Sequence, residues 1–227
     1  MKTKAFLILW VLVFSFSMVD AQFQDRRLRF AVSVEPHFNW FHLADLNTDK
    51  GPGRLGINGG VRLDYKFEKF CAFSFGVNWN QTGGNIIYKD TLHLDLGAGN
   101  DTLRPGTRVT YRLQYIEIPL ALKFMTREIG YSTGFLEIGL DPMFNIHSYI
   151  NATDNNVENE PFKQGINRIN LAWHTGVGLI YSLGGSVSLQ FAVTYKNTFL
   201  DVTRENSIRK PDNARINVIG LNVGILF

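Results

Sequence analysis

One cysteine, Cys71, is all the sequence holds, which excludes an intrachain disulfide and a thiolate metal cluster. Neither sign of charge is in large excess: 23 Lys and Arg face 20 Asp and Glu, a formal +3. That balance is not the footprint of a nucleic-acid binder, so no nucleic-acid partner is expected. A glycine-rich phosphate loop leading into a helix is missing; Gly83-Gly84 and Gly97-Ala98-Gly99 read as loop punctuation. Metal-ligand spacing is missing as well. Asp95, Asp101, Asp154 and Asp201 read as solvated loop carboxylates, and no metal or cofactor is expected. After residue 16 there is no apolar run approaching the roughly 20 residues a spanning helix needs. If this chain crosses a membrane, it must do so as a closed sheet.

What is present begins with a basic start, Lys2 and Lys4, and an apolar run from Ala5 to Phe16. Val19 and Ala21 then stand at the two recognition positions of an export cleavage site. The expected domains are a signal peptide, 1–21, and a barrel domain, 22–227. Removing Lys2, Lys4 and Asp20 takes the formal charge from +3 to +2 (3 − 2 + 1). No cysteine follows the cleavage point, so a lipoprotein anchor is not expected.

Past that segment the sequence alternates. In the C-terminal stretch Ile219, Leu221, Val223, Ile225 and Phe227 share one face of an extended strand, against Gly220, Asn222 and Gly224. Leu28 to Phe41 sets Phe30, Val32, Val34, Phe38 and Trp40 against Arg29, Ser33, Glu35, His37 and Asn39. Burying Arg29 and Glu35 in a small apolar core would be costly. Turning them toward a wet lumen while the aromatics meet lipid is not. The pattern recurs over 55–67, 71–80, 109–124, 136–141, 168–181 and 187–199. Short returns at Glu68-Lys69-Phe70, 125–132 and Gly184-Gly185 alternate with longer polar loops at 42–54, 82–108, 147–165 and 200–213.

The predicted fold is all-β: a closed antiparallel transmembrane β-barrel of about eight strands. An even count returns both termini to one side, which the export route makes periplasmic. Trp40, Trp79, Tyr111 and Phe199 are expected at the outer interface, and Tyr65, Phe67, Phe124 and Tyr181 at the inner one. Strand four is awkward. Tyr111, Leu113 and Tyr115 are out of phase with Ile116, Ile118 and Leu120, so the alternation slips near Tyr115 and a β-bulge there would reconcile the halves. Pro119 lacks a ladder donor and requires a break in pairing. Asn217 is a polar blemish on the lipid face.

Eight strands leave an interior that side chains can just fill. Arg29, Glu35, His37, Arg62, Asp64, Lys66, Glu117, Lys123, Glu137, Asp141, Arg168, His174 and Lys196 are expected there as a polar network. In a narrow space they should pair, because unpaired buried charge is expensive. A small porin is one alternative. A lipid-modifying outer-membrane enzyme is another, but His147-Ser148 and His174-Thr175 are not specific signatures and adjacent strand residues point to opposite faces. No catalytic residue is expected. Leu221, Val223, Ile225 and Phe227 form the C-terminal strand signal that barrel-assembly machinery would read. Outer-membrane lipid and lipopolysaccharide complete the expected surroundings.

The segment Tyr115-Ile116-Glu117-Ile118-Pro119-Leu120-Ala121-Leu122-Lys123 resembles the PorT-type outer-membrane β-barrel family of the Bacteroidota. His174-Thr175-Gly176-Val177-Gly178 and Val223-Gly224-Ile225-Leu226-Phe227 add to the likeness, which covers roughly residues 28 to 227. The resemblance implies an outer-membrane barrel of about eight strands with no cofactor. It also implies a structural or interaction role that assists protein secretion, with secretion-system proteins as partners.

Overall fold

The computed structural model describes residues 27–227 apart from 44–47, 90, 96–99, 154–158, 163–164 and 205–213. The expected signal at 1–21 lies outside the described residues. The described residues form thirteen strands: β1 (Leu28–His42), β2 (Thr48–Lys50), β3 (Arg54–Glu68), β4 (Cys71–Tyr88), β5 (Leu92–Asp95), β6 (Asn100–Leu103), β7 (Arg108–Glu117), β8 (Leu120–Met125), β9 (Ser132–Ala152), β10 (Glu160–Pro161), β11 (Ile169–Gly184), β12 (Val187–Thr198) and β13 (Arg215–Leu226). β5 and β6 form a separate hairpin. β2 and β10 are short additions, on β4 and β9.

The rest close on themselves. β1 pairs with β3 on one side and with β13 on the other, antiparallel throughout. β7 and β8 both lie between β4 and β9, as two halves of one wall strand, so the ring has eight positions. They part at Ile118-Pro119, where Pro119 has no N–H to give the ladder and Ile118 donates to the Pro142 carbonyl at 2.9 Å. Following paired residues once round the ring from Trp40 through Asn217, Asn197, Trp173, Leu140, Leu120, Phe75 and Leu63 leads to Phe30. That is ten residues back along β1 (40 − 30). With a rise of about 3.3 Å and a strand spacing of about 4.8 Å, this stagger tilts the strands by about 40°.

Side-chain orientation follows the alternation. Phe75 and Phe191 are 40% and 48% exposed, while Arg62 is 8% and Glu137 3%. The outward apolar set on β9, from Leu136 to Ile146, spans ten residues, about 25 Å along the axis at that tilt. That matches a hydrocarbon layer. Val223 faces outward halfway along the apolar face of β13. Val223→Arg is therefore expected to cost about 2–4 kcal/mol, and Phe227→Arg at the rim about 0–1, measured by denaturant unfolding in lipid vesicles.

The tight returns gather at one end. Gly184 and Gly185 have φ of 95° and 65°, a left-handed backbone that suits glycine at the β11–β12 turn. At the other end several strands outrun the sequence expectation: β4 continues to Tyr88 and β9 to Ala152.

Two expectations for strand four are corrected. Alternation in β7 is unbroken: Val109, Tyr111, Leu113, Tyr115 and Glu117 are all buried inside. The phase does not slip at Tyr115, and Tyr111 is no interface aromatic. The inward face itself changes, from apolar near the loops to charged at Glu117. The register shift found here sits opposite, where Gln114 pairs with His147 and Tyr115 with Asn145, so Ile146 is the extra residue on β9.

Asn217 keeps its place on the outer face. It is nonetheless 93% covered, since Tyr195 Oη (2.9 Å) and Asn197 Nδ2 (2.6 Å) donate to its side-chain oxygen. Trp173 lies edge-on to Tyr195, 5.5 Å between centroids.

Candidate functional site: a three-layer interior

Inward side chains divide by height. Nearest the tight returns lies an apolar floor of Ala31, Phe135, Ile180, Ala192 and Leu226, with Met125 against it. Above it lies an ionic layer to which every position of the ring contributes. Lys123 Nζ on β8 donates to Asp64 at 2.7 Å and to Gln190 at 3.2 Å, and stands 3.4 Å from Glu137. It also sits 5.1 Å from the Phe135 ring centroid, where the charged layer meets the floor. Arg62 on β3 donates to Glu137 at 2.7 Å. His174 on β11 stands between Glu137 (3.1 Å) and Asp141 (2.9 Å).

Lys196 on β12 donates to Glu117 at 2.7 Å and lies 3.2 Å from Asp141. Glu117 on β7 also accepts from Asn58 at 3.3 Å and from Asn80 on β4. On the far side Gln190 donates to Asn222 on β13, which donates to Glu35 on β1 at 3.3 Å. The connected layer thus holds five carboxylates (Glu35, Asp64, Glu117, Glu137 and Asp141) against Arg62, Lys123 and Lys196, with His174 beside them and His37 buried nearby. Such pairs add little net stability, but removing one partner is costly.

The third layer is apolar again. Tyr111 is fully buried, edge-on to Phe41 at 5.8 Å, and its hydroxyl is 2.8 Å from that of Tyr88. Leu113, Tyr115, Ile86, Ile150 and Ile216 surround it. Connecting segments fold over the mouth. Phe162 tucks in against Tyr111, and Ile166 bridges to Thr203. Asp201 is not the solvated carboxylate of the sequence reading. Its Oδ1 accepts from Thr203 N, Thr203 Oγ1 and Ala214 N at 2.8–2.9 Å, pinning the cap. Where the ionic and upper layers meet, His37 Nε2, Thr82 Oγ1 and Tyr115 Oη are buried without a protein partner.

Ten of the thirteen predicted lumen residues are buried inside the ring: Glu35, His37, Arg62, Asp64, Glu117, Lys123, Glu137, Asp141, His174 and Lys196. Arg29 and Lys66 are half-buried on the inward face at the tight-return end. Arg168 is corrected: it is exposed, because it precedes the first paired residue of β11 and lies at the rim. Leu221, Val223, Ile225 and Phe227 face outward. His147 is exposed and Ser148 buried on opposite sides of the wall, so they do not meet. The upper layer was missed by sequence reasoning. Its signal was in view: Val109, Tyr111, Leu113, Tyr115 and Glu117 share one parity.

Among the described residues, no group of three or more His, Cys, Asp and Glu side chains is placed to hold a metal ion, and no helix is long and apolar enough to cross a membrane. A closed eight-position antiparallel ring with charges inside and a 25 Å apolar belt outside is a transmembrane β-barrel of the outer-membrane type. The chain belongs to the outer membrane protein beta-barrel domain family, whose model matches residues 9–199.

Similar solved structures are a major outer membrane protein from Thermus thermophilus and Neisserial surface protein A. The first is 12% identical, covering 89% of this chain and 100% of that one, TM-score 0.48. The second is 12% identical, covering 87% and 95%, TM-score 0.47. The attachment invasion locus protein of Yersinia pestis is 13% identical, covering 89% and 100%, TM-score 0.42. No curated protein matches the sequence.

Proposed function

We propose that this outer-membrane barrel is a non-conducting, non-enzymatic scaffold that presents its ends to partners. It is exported with residues 1–21 removed, and the tight-return end with both termini faces the periplasm. The observation that carries this reading is the interior: an ionic layer drawn from all eight ring positions, held between two apolar layers. An ion entering such a lumen would have to displace paired buried charges and cross two apolar layers, each a steep electrostatic barrier. The PorT resemblance extends the reading to partners of the protein-secretion class.

Planar-bilayer recording of the refolded barrel tests the seal. No conductance steps are expected at neutral pH; steady single-channel steps would favour a small porin. Crosslinking in outer membranes tests the partner, and recovery of lipid alone would count against the scaffold. Unchanged lipid A mass on deletion is expected if the barrel does no lipid chemistry.

A further inference from the structure

Above the apolar belt β4, β7 and β9 carry on as a wall whose outer face is polar. Trp79, Ile116 and Phe144 form the last apolar outward row across these strands. Beyond it the outward positions of β7 are Gln114, Arg112, Thr110 and Arg108, since Val109, Tyr111, Leu113 and Tyr115 point inward. Beside them lie Gln81, Gly83, Asn85 and Ile87 on β4, and His147, Tyr149 and Asn151 on β9. No acid is among these positions, and β7 brings both arginines. Arg112 and Arg108 stand four and eight residues beyond Ile116, about 10 and 20 Å up the axis at a tilt of about 40°. A headgroup layer is only about 5–8 Å thick, so Arg108 stands in water above the leaflet.

Each arginine lines its own recess. Ile87, Pro105, Gly106, Thr107, Arg108 and Thr153 line a cavity of about 340 Å³. Its rim is a turn tied back to β4: Gly106 N–H donates to the Tyr88 carbonyl at 2.6 Å, and Thr107 Oγ1 to the Arg104 carbonyl at 2.7 Å. Gly106 has φ 88°, a left-handed backbone that glycine adopts without strain. Gln81, Arg112, Gln114, Tyr149 and Asn159 line a second cavity, of about 270 Å³. There Arg112 donates to Asn159 Oδ1, a neutral acceptor, at 3.0 Å. Among the described residues no carboxylate pairs with Arg108 or Arg112. Two acids at this end are engaged elsewhere: Asp49 holds Lys89 at 2.8 Å, and Glu160 pairs in register with the inward Ile150.

We infer that the outer face of β7 is a docking surface for an acidic, extended polypeptide segment, with one carboxylate in each recess. Both edges of β7 are already paired, by β4 and β9, so the partner lies across the face and adds no strand. Arg108 and Arg112 are about 13 Å apart along the strand, the spacing of side chains at i and i+4 in an extended chain. Arginine forks take the two oxygens of a carboxylate together, and an acid-free face meets an acidic segment without repulsion. Thr110 and Gln114 beside the arginines suit peptide groups. That the ligand is a protein rests on the scaffold reading above.

Fluorescence anisotropy of a labelled Gly-Ser-Thr peptide with Asp at i and i+4, titrated with the refolded full barrel in detergent, tests the surface. Binding is expected to be at least tenfold tighter than that of the same peptide with Asn in place of Asp. R108Q/R112Q should remove this preference, R108K/R112K should keep part of it, and R127Q at the opposite end should leave it intact. Heat-modified gel mobility selects folded protein in each case. Equal binding of the two peptides, or a preference that survives R108Q/R112Q, overturns the surface. Tighter binding of charge-matched dextran sulfate, lost in R108Q/R112Q, would make the face a polysaccharide site and overturn the polypeptide. A protein still recovered by crosslinking from R108Q/R112Q membranes keeps the scaffold reading and overturns this face as its dock.

Discussion

Lys123→Met is expected to lower the unfolding free energy of the barrel by about 3–5 kcal/mol, measured by urea unfolding in lipid vesicles. The side chain that replaces it has nearly the same length and fills the same space, so packing against Phe135 is largely kept. What is lost is the cation between Asp64 and Glu137. Glu137 retains Arg62 at 2.7 Å and His174 at 3.1 Å, but Asp64 loses its 2.7 Å partner inside a closed lumen. An uncompensated buried carboxylate is the expensive outcome, far more so than the absence of the pair. Asp64→Asn combined with Lys123→Met should therefore recover a substantial part of the loss. If the double variant is no more stable than the single one, the penalty is not electrostatic and the ionic layer does not act as described.

The second large effect is expected in the upper layer. Tyr111→Ala should cost about 3–5 kcal/mol, as large-to-small changes of buried aromatics do. The ring is fully enclosed, edge-on to Phe41, and 6.4 Å from Phe162 of the cap. Removing it also leaves the Tyr88 hydroxyl without the partner at 2.8 Å. Because Phe162 rests on this ring, limited proteolysis in the adjoining segment should quicken in the variant. Substituting the next residue, Arg112→Ala, changes an outward side chain and should shift stability by less than about 0.5 kcal/mol. Were Tyr111 on the lipid face, where assigning every apolar set outward would put it, its truncation would leave the cap untouched. Unchanged proteolysis would restore that placement.

The two predictions fall either side of the line where this barrel changes character. Below Glu117 it is inside-out, ionised groups enclosed and aromatics turned to acyl chains. Above Tyr115 it is packed as a water-soluble sheet is, apolar inside and polar outside. Alternation with a period of two was enough to find the strands and the ring count, and the missing donor of Pro119 marked the break. It could not say which face was which, because period two records only that the faces differ. In β7 the apolar residues were assigned to lipid, as in the strands around them. A bulge was then needed to rescue the phase. The true bulge, at Ile146, left no comparable mark, because the residues around it are polar and apolar on both sides of the wall.

What the sequence determined on its own was thus the class of structure: an all-β chain whose charged positions recur opposite its apolar ones, closing as a barrel with the charges within. Local chemistry suffices for that, since strand periodicity, turn residues and the cost of burying lone charges are properties of short segments. Only the tertiary structure decided which charges meet. Glu117 and Lys196 are 79 residues apart, and Lys123 and Gln190 are 67. Their contact depends on a ten-residue stagger that is a property of the closed ring and of no single strand. The same closure set the heights at which the interior turns from apolar to ionic and back to apolar.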